Sequence, residues 1–287
     1  MKMPELTFKH IENTLDDYDL LLFDLWGVVV EGDQTYPGVV EALNELIRKK
    51  RMVFLSNAPR AGFIVAENMR NWGVKDVTPE MVVTSGDVAR QLIAESFGSG
   101  AIPKIYHLGS DRNDDLLVEM DHRPVTDITE ADILLLSIYR DEHEDIHEFN
   151  DLLKQAASKP ELLNICSNPD TTIPKRGVLR YCAGHFAGIL KQFGSSVIYT
   201  GKPETSIYER VFQQNSDIAK SRMLMVGDTF ETDILGANRF GIDSALVLTG
   251  NAEKFHKAHV SIEDKLQALS SQAKKVGTSP TFVTQIV

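Results

Sequence analysis

The chain has 287 residues, 43% hydrophobic and 25% charged, the balance of a soluble globular protein long enough for one large domain or two smaller ones. A formal net charge of -11 argues against nucleic acid and anionic membrane as partners, although local cations and a metal could still draw in a small anionic substrate. Two cysteines, Cys166 and Cys182, are too few for a disulfide framework and wrongly spaced for a zinc knuckle. A reducing cytoplasm is therefore the expected setting, and no apolar run is long enough for a signal peptide or a membrane span.

In chain order, the run Leu20 to Phe23 reads as a first buried strand that stops at Asp24. After Pro37 a helical period places Val40, Leu43 and Ile47 on one face, and a second strand, Met52 to Leu55, stops at Ser56-Asn57. A second helix groups Val65, Met69 and Trp72 and ends at Gly73. Residues 84–196 form a long segment with strands of their own, Lys104 to Leu108, Ile133 to Ser137 and Leu162 to Ile165, and an acidic helix. That is too long for a connection and is read as an inserted domain. Val197 to Tyr199 and Met223 to Val226 then resume the first domain, each followed by a helical segment, with Ala245 to Leu248 after Gly241. Residues 251–280 are polar, a helix and loop before a last short strand. The alternation of strand and helix predicts an α/β fold with a parallel sheet, residues 1–83 and 197–287 forming the core and 84–196 the insertion.

In an open parallel sheet, ligands bind beyond the carboxyl ends of the strands. Here those ends carry Asp24, Ser56-Asn57, Gly201-Lys202 and Gly227-Asp228. Two aspartates offer hard oxygen ligands suited to Mg²⁺, Lys202 and Ser56 could hold phosphate oxygens, and a carboxylate can attack phosphorus. Any one of these residues alone is more readily a cap, a turn former or a solvated lysine. Four strand ends with mutually compatible groups point to phosphoryl chemistry.

The runs Phe23-Asp24-Leu25-Trp26-Gly27-Val28, Leu55-Ser56-Asn57, Gly201-Lys202-Pro203 and Val226-Gly227-Asp228-Thr229-Phe230-Glu231-Thr232-Asp233 resemble the four ordered motifs of class IIA, NagD-like phosphatases of the haloacid-dehalogenase type. The resemblance spans residues 20–250. It implies a Rossmann-like core with an inserted α/β cap, and a Mg²⁺-dependent hydrolysis of a small phosphate ester through an aspartyl-phosphate. By the same resemblance Asp24 is the nucleophile, while Ser56 and Lys202 bind the phosphoryl group. Asn57 and Gly27 lie against the substrate, and Asn168 and Asp170 of Asn168-Pro169-Asp170 form a cap loop facing it. Asp24, the carbonyl of Trp26 and Asp228 hold Mg²⁺, with Asp233 in support, and homodimer contacts through the cap are expected.

One position departs from that pattern. Related phosphatases carry a second aspartate two residues after the nucleophile, as acid and then base, where this chain has Trp26. The carbonyl ligand survives and the proton donor does not; Glu31 or Asp33 could substitute from the following loop. Two readings therefore stand: a phosphatase restricted to good leaving groups, and a phospho-ligand-binding or sensing protein that has lost turnover.

His143-Glu144-Asp145-Ile146-His147 matches the zinc pattern H-E-x-x-H, but its acidic surroundings and lack of a third ligand mark it as a solvated helix face, with Ile146, Phe149, Leu152 and Leu153 turned inward. His185 is read as a packed residue or a cap contact. Ser85-Gly86-Asp87 is expected to begin a helix, with Ser85 or Asp87 as its cap.

Overall fold

The structure is a computed structural model and describes residues 5–32, 34–97, 100–109, 111–175, 178–258 and 260–287. The chain divides into two compact units, Met1–Ser56 with Phe63–Val83 and Lys202–Val287, and Asn57–Gly62 with Thr84–Gly201. Among the described residues no helix is long and apolar enough to cross a membrane.

The first unit is built on a six-stranded sheet in the order Phe282–Thr284, Asp243–Val247, Met223–Gly227, Leu20–Phe23, Arg51–Ser56, Val82–Thr84. Its central strand is fully buried at every position, as a parallel strand covered on both faces requires, which is why Leu20–Phe23 is an unbroken apolar run. The register sets Phe23 beside Val226 on one side and Phe54 on the other. Asp24, Gly227-Asp228 and Leu55-Ser56 consequently leave the sheet at the same edge. The helix Val39–Lys49 buries Val39, Leu43 and Leu46; Val40 and Ile47, expected on its inner face, lie on the flanks. The helix Gly62–Asn71 is followed by Gly73 at φ +95°, the left-handed turn that a glycine after a helix supplies.

The second unit has a five-stranded sheet in the order Ile198–Tyr199, Leu163–Cys166, Ile133–Leu136, Lys104–Leu108, Arg123–Pro124, with every pairing parallel. Alternate residues of its middle strand face opposite sides. Leu134 and Leu136 pack with Leu153, Phe186 and Leu190, while Ile133 and Leu135 pack with Ala89, Ile93 and Leu116. A three-stranded antiparallel sheet, Thr172–Lys175, Val178–Cys182 and Tyr139–Asp141, completes it.

Three expectations are corrected. The run Val197 to Tyr199 does not join the first sheet: Ile198 and Tyr199 pair with Ile165 and Cys166 at the edge of the second. A short apolar run carries no label for the sheet it will join, and here the nearest unpaired edge in the second unit takes it. The H-E-x-x-H stretch is not helical. The helix begins only at Asn150, and His143 and His147 are exposed in turns, so they do not share a helix face. Finally, Thr84, rather than Ser85 or Asp87, caps the helix Ser85–Phe97. Its hydroxyl accepts from Asp87 N at 2.9 Å and Asp87 Oδ2 accepts from Thr84 N at 3.1 Å, a reciprocal capping box.

Thr84 Oγ1 also donates to the Arg60 carbonyl at 2.5 Å, and Asp87 Oδ1 accepts from Gly62 N at 3.0 Å, which ties the segment Asn57–Gly62 into the second unit. Replacing Thr84 by alanine removes the hydroxyl partner of the part-buried Asp87 amide and Arg60 carbonyl. Urea denaturation is expected to show a loss of about 2 kcal/mol at an unchanged m-value.

Candidate active site

Asp24 continues its strand by one hydrogen bond, donating N–H to the Val226 carbonyl at 2.9 Å, and its Oδ1 accepts from Leu25 N at 2.7 Å. The Lys202 ammonium lies against it. Only 1% exposed, Lys202 reaches Asp24 Oδ1 at 2.6 Å, Asp233 Oδ1 at 2.7 Å and the Leu55 carbonyl at 3.1 Å. Three donors meet three acceptors, the only way a buried ammonium is well tolerated.

Asp233 is placed by an irregular turn. The segment Phe230–Ile234 is wound as a π-helix, and Asp233 Oδ2 accepts from Thr229 N at 3.1 Å while the Tyr208 hydroxyl donates to the Asp233 carbonyl at 3.2 Å. Gly227 is obligatory beneath it, because a Cβ there would collide with the Asp233 side chain. Asp228 accepts from the Thr229 hydroxyl at 3.2 Å and from Asn251 N at 2.6 Å. Gly27, at φ +85°, and Gly250 both approach Asp228 so closely that a Cβ on either would strike its carboxylate.

Carboxylate oxygens of Asp24, Asp228 and Asp233 lie within 4.8 Å of one another, and all three residues are buried. Burial, reinforced by the neighbouring Asp233 and Asp228, holds Asp24 well above the usual carboxylate range despite the opposing pull of Lys202. Burial and Asp233 push Asp228 up to about 7. Burial alone would lower Lys202, but Asp233 and Asp24 outweigh it and raise it, so its charge is secure. Three carboxylates around one ammonium are short of positive charge, and a divalent cation with oxygen preference fits this donor set. Trp26 contributes backbone. Gly27 N donates to Val30 O and Val30 N to Leu25 O, so among the described residues no hydrogen bond ends on the Trp26 carbonyl. That leaves a further neutral oxygen for an ion.

Ser56 is buried at the end of its strand, one residue beyond the carbonyl that holds Lys202. Asn57, Asn168 and Asp170 belong to the second unit. There Asn57 Nδ2 donates to Asp170 Oδ1 at 3.0 Å, and Asp170 N donates to Asn168 Oδ1 at 3.1 Å, the self-bonded turn expected of Asn-Pro-Asp. Glu31 is exposed and accepts from the Tyr36 hydroxyl at 2.9 Å; Asp33 lies outside the described residues. Sequence reasoning missed Asn251, Thr229, Thr249, Tyr208 and Tyr36. They act through backbone contacts, hydroxyl bonds and a side-chain amide, roles that leave no spacing signal.

Two family profiles match the chain: residues 21–123 the haloacid dehalogenase-like hydrolases, and residues 199–272 a HAD-hydrolase-like profile. A solved hydrolase of the haloacid dehalogenase-like family from Brucella suis is 30% identical, with a TM-score of 0.75 over 91% of this chain and 96% of its own. The chain belongs to the haloacid-dehalogenase-like hydrolases. The D-glycerol 3-phosphate phosphatase of Mycobacterium tuberculosis is 29% identical over 84% of this chain, which spans 65% of that relative's length, just under two thirds. A crystal structure of the glycerol phosphate phosphatase of Mycobacterium tuberculosis in complex with magnesium is 27% identical, with a TM-score of 0.66 over 85% of this chain and 70% of its own. The four-motif resemblance to class IIA members of this family agrees with both profile matches.

The raised Asp228 gives a pH signature with a definite sign. Its folded value, about 7, lies above the ordinary 3.8 of an unfolded chain, so the folded state holds a proton that the unfolded state releases first. Stability from this group is full below the unfolded value and is lost as pH rises through the folded one. With a chelator present, thermal melts should fall between about pH 5 and about pH 7.5, and Asp228→Asn should flatten that slope. An unchanged slope in the variant would mean that another group titrates.

Proposed function

We propose that this hydrolase cleaves small phosphate monoesters with the help of Mg²⁺, using Asp24 as nucleophile. The observation that carries the reading is the buried Lys202 bridge, 2.6 Å from Asp24 and 2.7 Å from Asp233, beside a third carboxylate. Lys202 opposes the protonation of Asp24 that burial and the neighbouring carboxylates favour, and a bound cation would complete that offset. Asp24, Asp228 and the Trp26 carbonyl would hold Mg²⁺, with Asp233 fixing Lys202 and the turn behind Asp228. When bound, the ion would neutralise charge on the phosphoryl oxygens and offset the repulsion among the carboxylates.

In the first step an Asp24 oxygen forms a bond to phosphorus as the ester oxygen departs with the bonding pair. Water then attacks the aspartyl-phosphate, releasing phosphate and restoring the carboxylate. Ser56 and Lys202 would bind the phosphoryl oxygens, with Gly27 lying against the substrate.

Position 26 decides which esters react well. An indole N–H is far too weak an acid to protonate a departing alkoxide, and general acid assistance is worth about 10²- to 10⁴-fold. Glu31 is already engaged by Tyr36. Aryl phosphates, whose leaving phenol needs no proton at neutral pH, should therefore be cleaved far better than sugar or glycerol phosphates. Trp26 is also what favours the second reading, a binding or sensing protein without turnover.

Phosphate release measured with Mg²⁺ on an aryl and an alkyl phosphate separates the two. Wild type is expected to cleave the aryl ester, Asp24→Asn to lose at least about a thousandfold, and Trp26→Asp to gain on the alkyl ester. Binding of phosphate compounds without turnover of either ester would establish the sensing role instead.

A further inference from the structure

The hairpin after Gly27 pairs Val30–Glu31 with Gln34–Thr35 and delivers Tyr36 directly behind it. The Tyr36 phenol makes two bonds: it donates to Glu31 Oε2 at 2.9 Å and accepts from Gly250 N at 3.2 Å. Gly250 opens the short 3₁₀ turn Gly250–Ala252, where the first amides have no partner within the turn. The next amide, Asn251 N, donates to Asp228 Oδ2 at 2.6 Å, and the residue before, Thr249, donates its hydroxyl to the Gly27 carbonyl at 2.6 Å. Asn251 also reaches round with Nδ2 to Thr229 Oγ1 at 2.7 Å, and that hydroxyl in turn holds Asp228 Oδ1.

Thr249 and Asn251 thus grip Gly27 and Asp228, while Tyr36 holds Gly250 between them. There is little slack. Gly250 sits at φ +52°, and a Cβ there would run into Asp228 and lie 2.5 Å from Gly27 Cα, so only a glycine lets the turn pass this close to both. The Tyr36 bond ties the turn to the hairpin. Burial and Glu31 raise the phenol above its ordinary range, so it stays protonated and keeps donating to Glu31.

We propose that Tyr36 is a positioning residue for Asp228: by anchoring Gly250 it fixes the turn whose Asn251 amide orients the Asp228 carboxylate for metal binding. The inference rests on the reading of Asp228 as a Mg²⁺ ligand. A tyrosine on a hairpin can equally serve only to pack, and phenylalanine would preserve that packing while removing the hydroxyl.

Calorimetric titration of Mn²⁺ into wild type, Tyr36→Phe and Glu31→Gln, with melting temperatures measured in chelator, tests it. Tyr36→Phe is expected to bind Mn²⁺ about tenfold more weakly, as loss of an outer partner to a metal ligand does. Glu31→Gln, which leaves the phenol as an acceptor for Gly250, should stay close to wild type. A Tyr36→Phe protein with the wild-type Kd, whatever its melting temperature, overturns the proposal, as does a Glu31→Gln protein as impaired as Tyr36→Phe. Wild type that binds no Mn²⁺ overturns the metal reading of Asp228 along with it.

Discussion

A single buried ammonium holds this catalytic edge together. Lys202 lies between Asp24 and Asp233 with its third donor on the Leu55 carbonyl, and so joins three segments of the first unit that are far apart in the chain. Removing one partner of a buried pair leaves an uncompensated charge, a loss of about 3–5 kcal/mol. The same contact pulls against the desolvation and carboxylate repulsion that raise Asp24. Stability and reactivity here depend on one nitrogen.

The sheet supplies the alignment on which that nitrogen acts. Because Phe23, Val226 and Phe54 stand side by side, Asp24, Asp228 and Ser56 leave the strands together, and the π-wound turn after Thr229 brings Asp233 back beneath them. Gly27, Gly227 and Gly250 are small for a shared reason: each lets backbone approach a carboxylate more closely than any side chain would allow. The result is a dense set of acidic groups in a confined space, which is costly without a cation and well suited to one.

Much of this was legible in advance because parallel strands advertise themselves. The unbroken run Leu20–Phe23, with an aspartate directly after it, marks both a buried strand and the place where chemistry can start. The four motifs carried the family, and Asp24, Lys202, Asp228 and Asp233 are indeed brought together. What was not legible has physical causes. Val197 to Tyr199 reads like any short strand, and nothing in its composition distinguishes a second sheet from the first. Thr84 is hidden as a helix cap because it closes a strand and the next residues, Ser85 and Asp87, are themselves cap formers. The bond from Gly250 to Tyr36 spans 214 residues, and a contact between an amide and a phenol leaves no periodic trace.

Trp26 gives the site its particular character. On the proposed reading the backbone there would still serve an ion while the side chain would not pass a proton, so attack by Asp24 would be retained and release burdened. Trapping the covalent intermediate tests that account most directly. Wild type with Mg²⁺ and an aryl phosphate would be quenched in acid during turnover and its peptides weighed. The account predicts one phosphoryl group on the peptide carrying Asp24, abundant in wild type, absent in Asp24→Asn and diminished when Trp26→Asp restores a base for hydrolysis. Turnover with no phosphorylated peptide, or with the label on another residue, would contradict it.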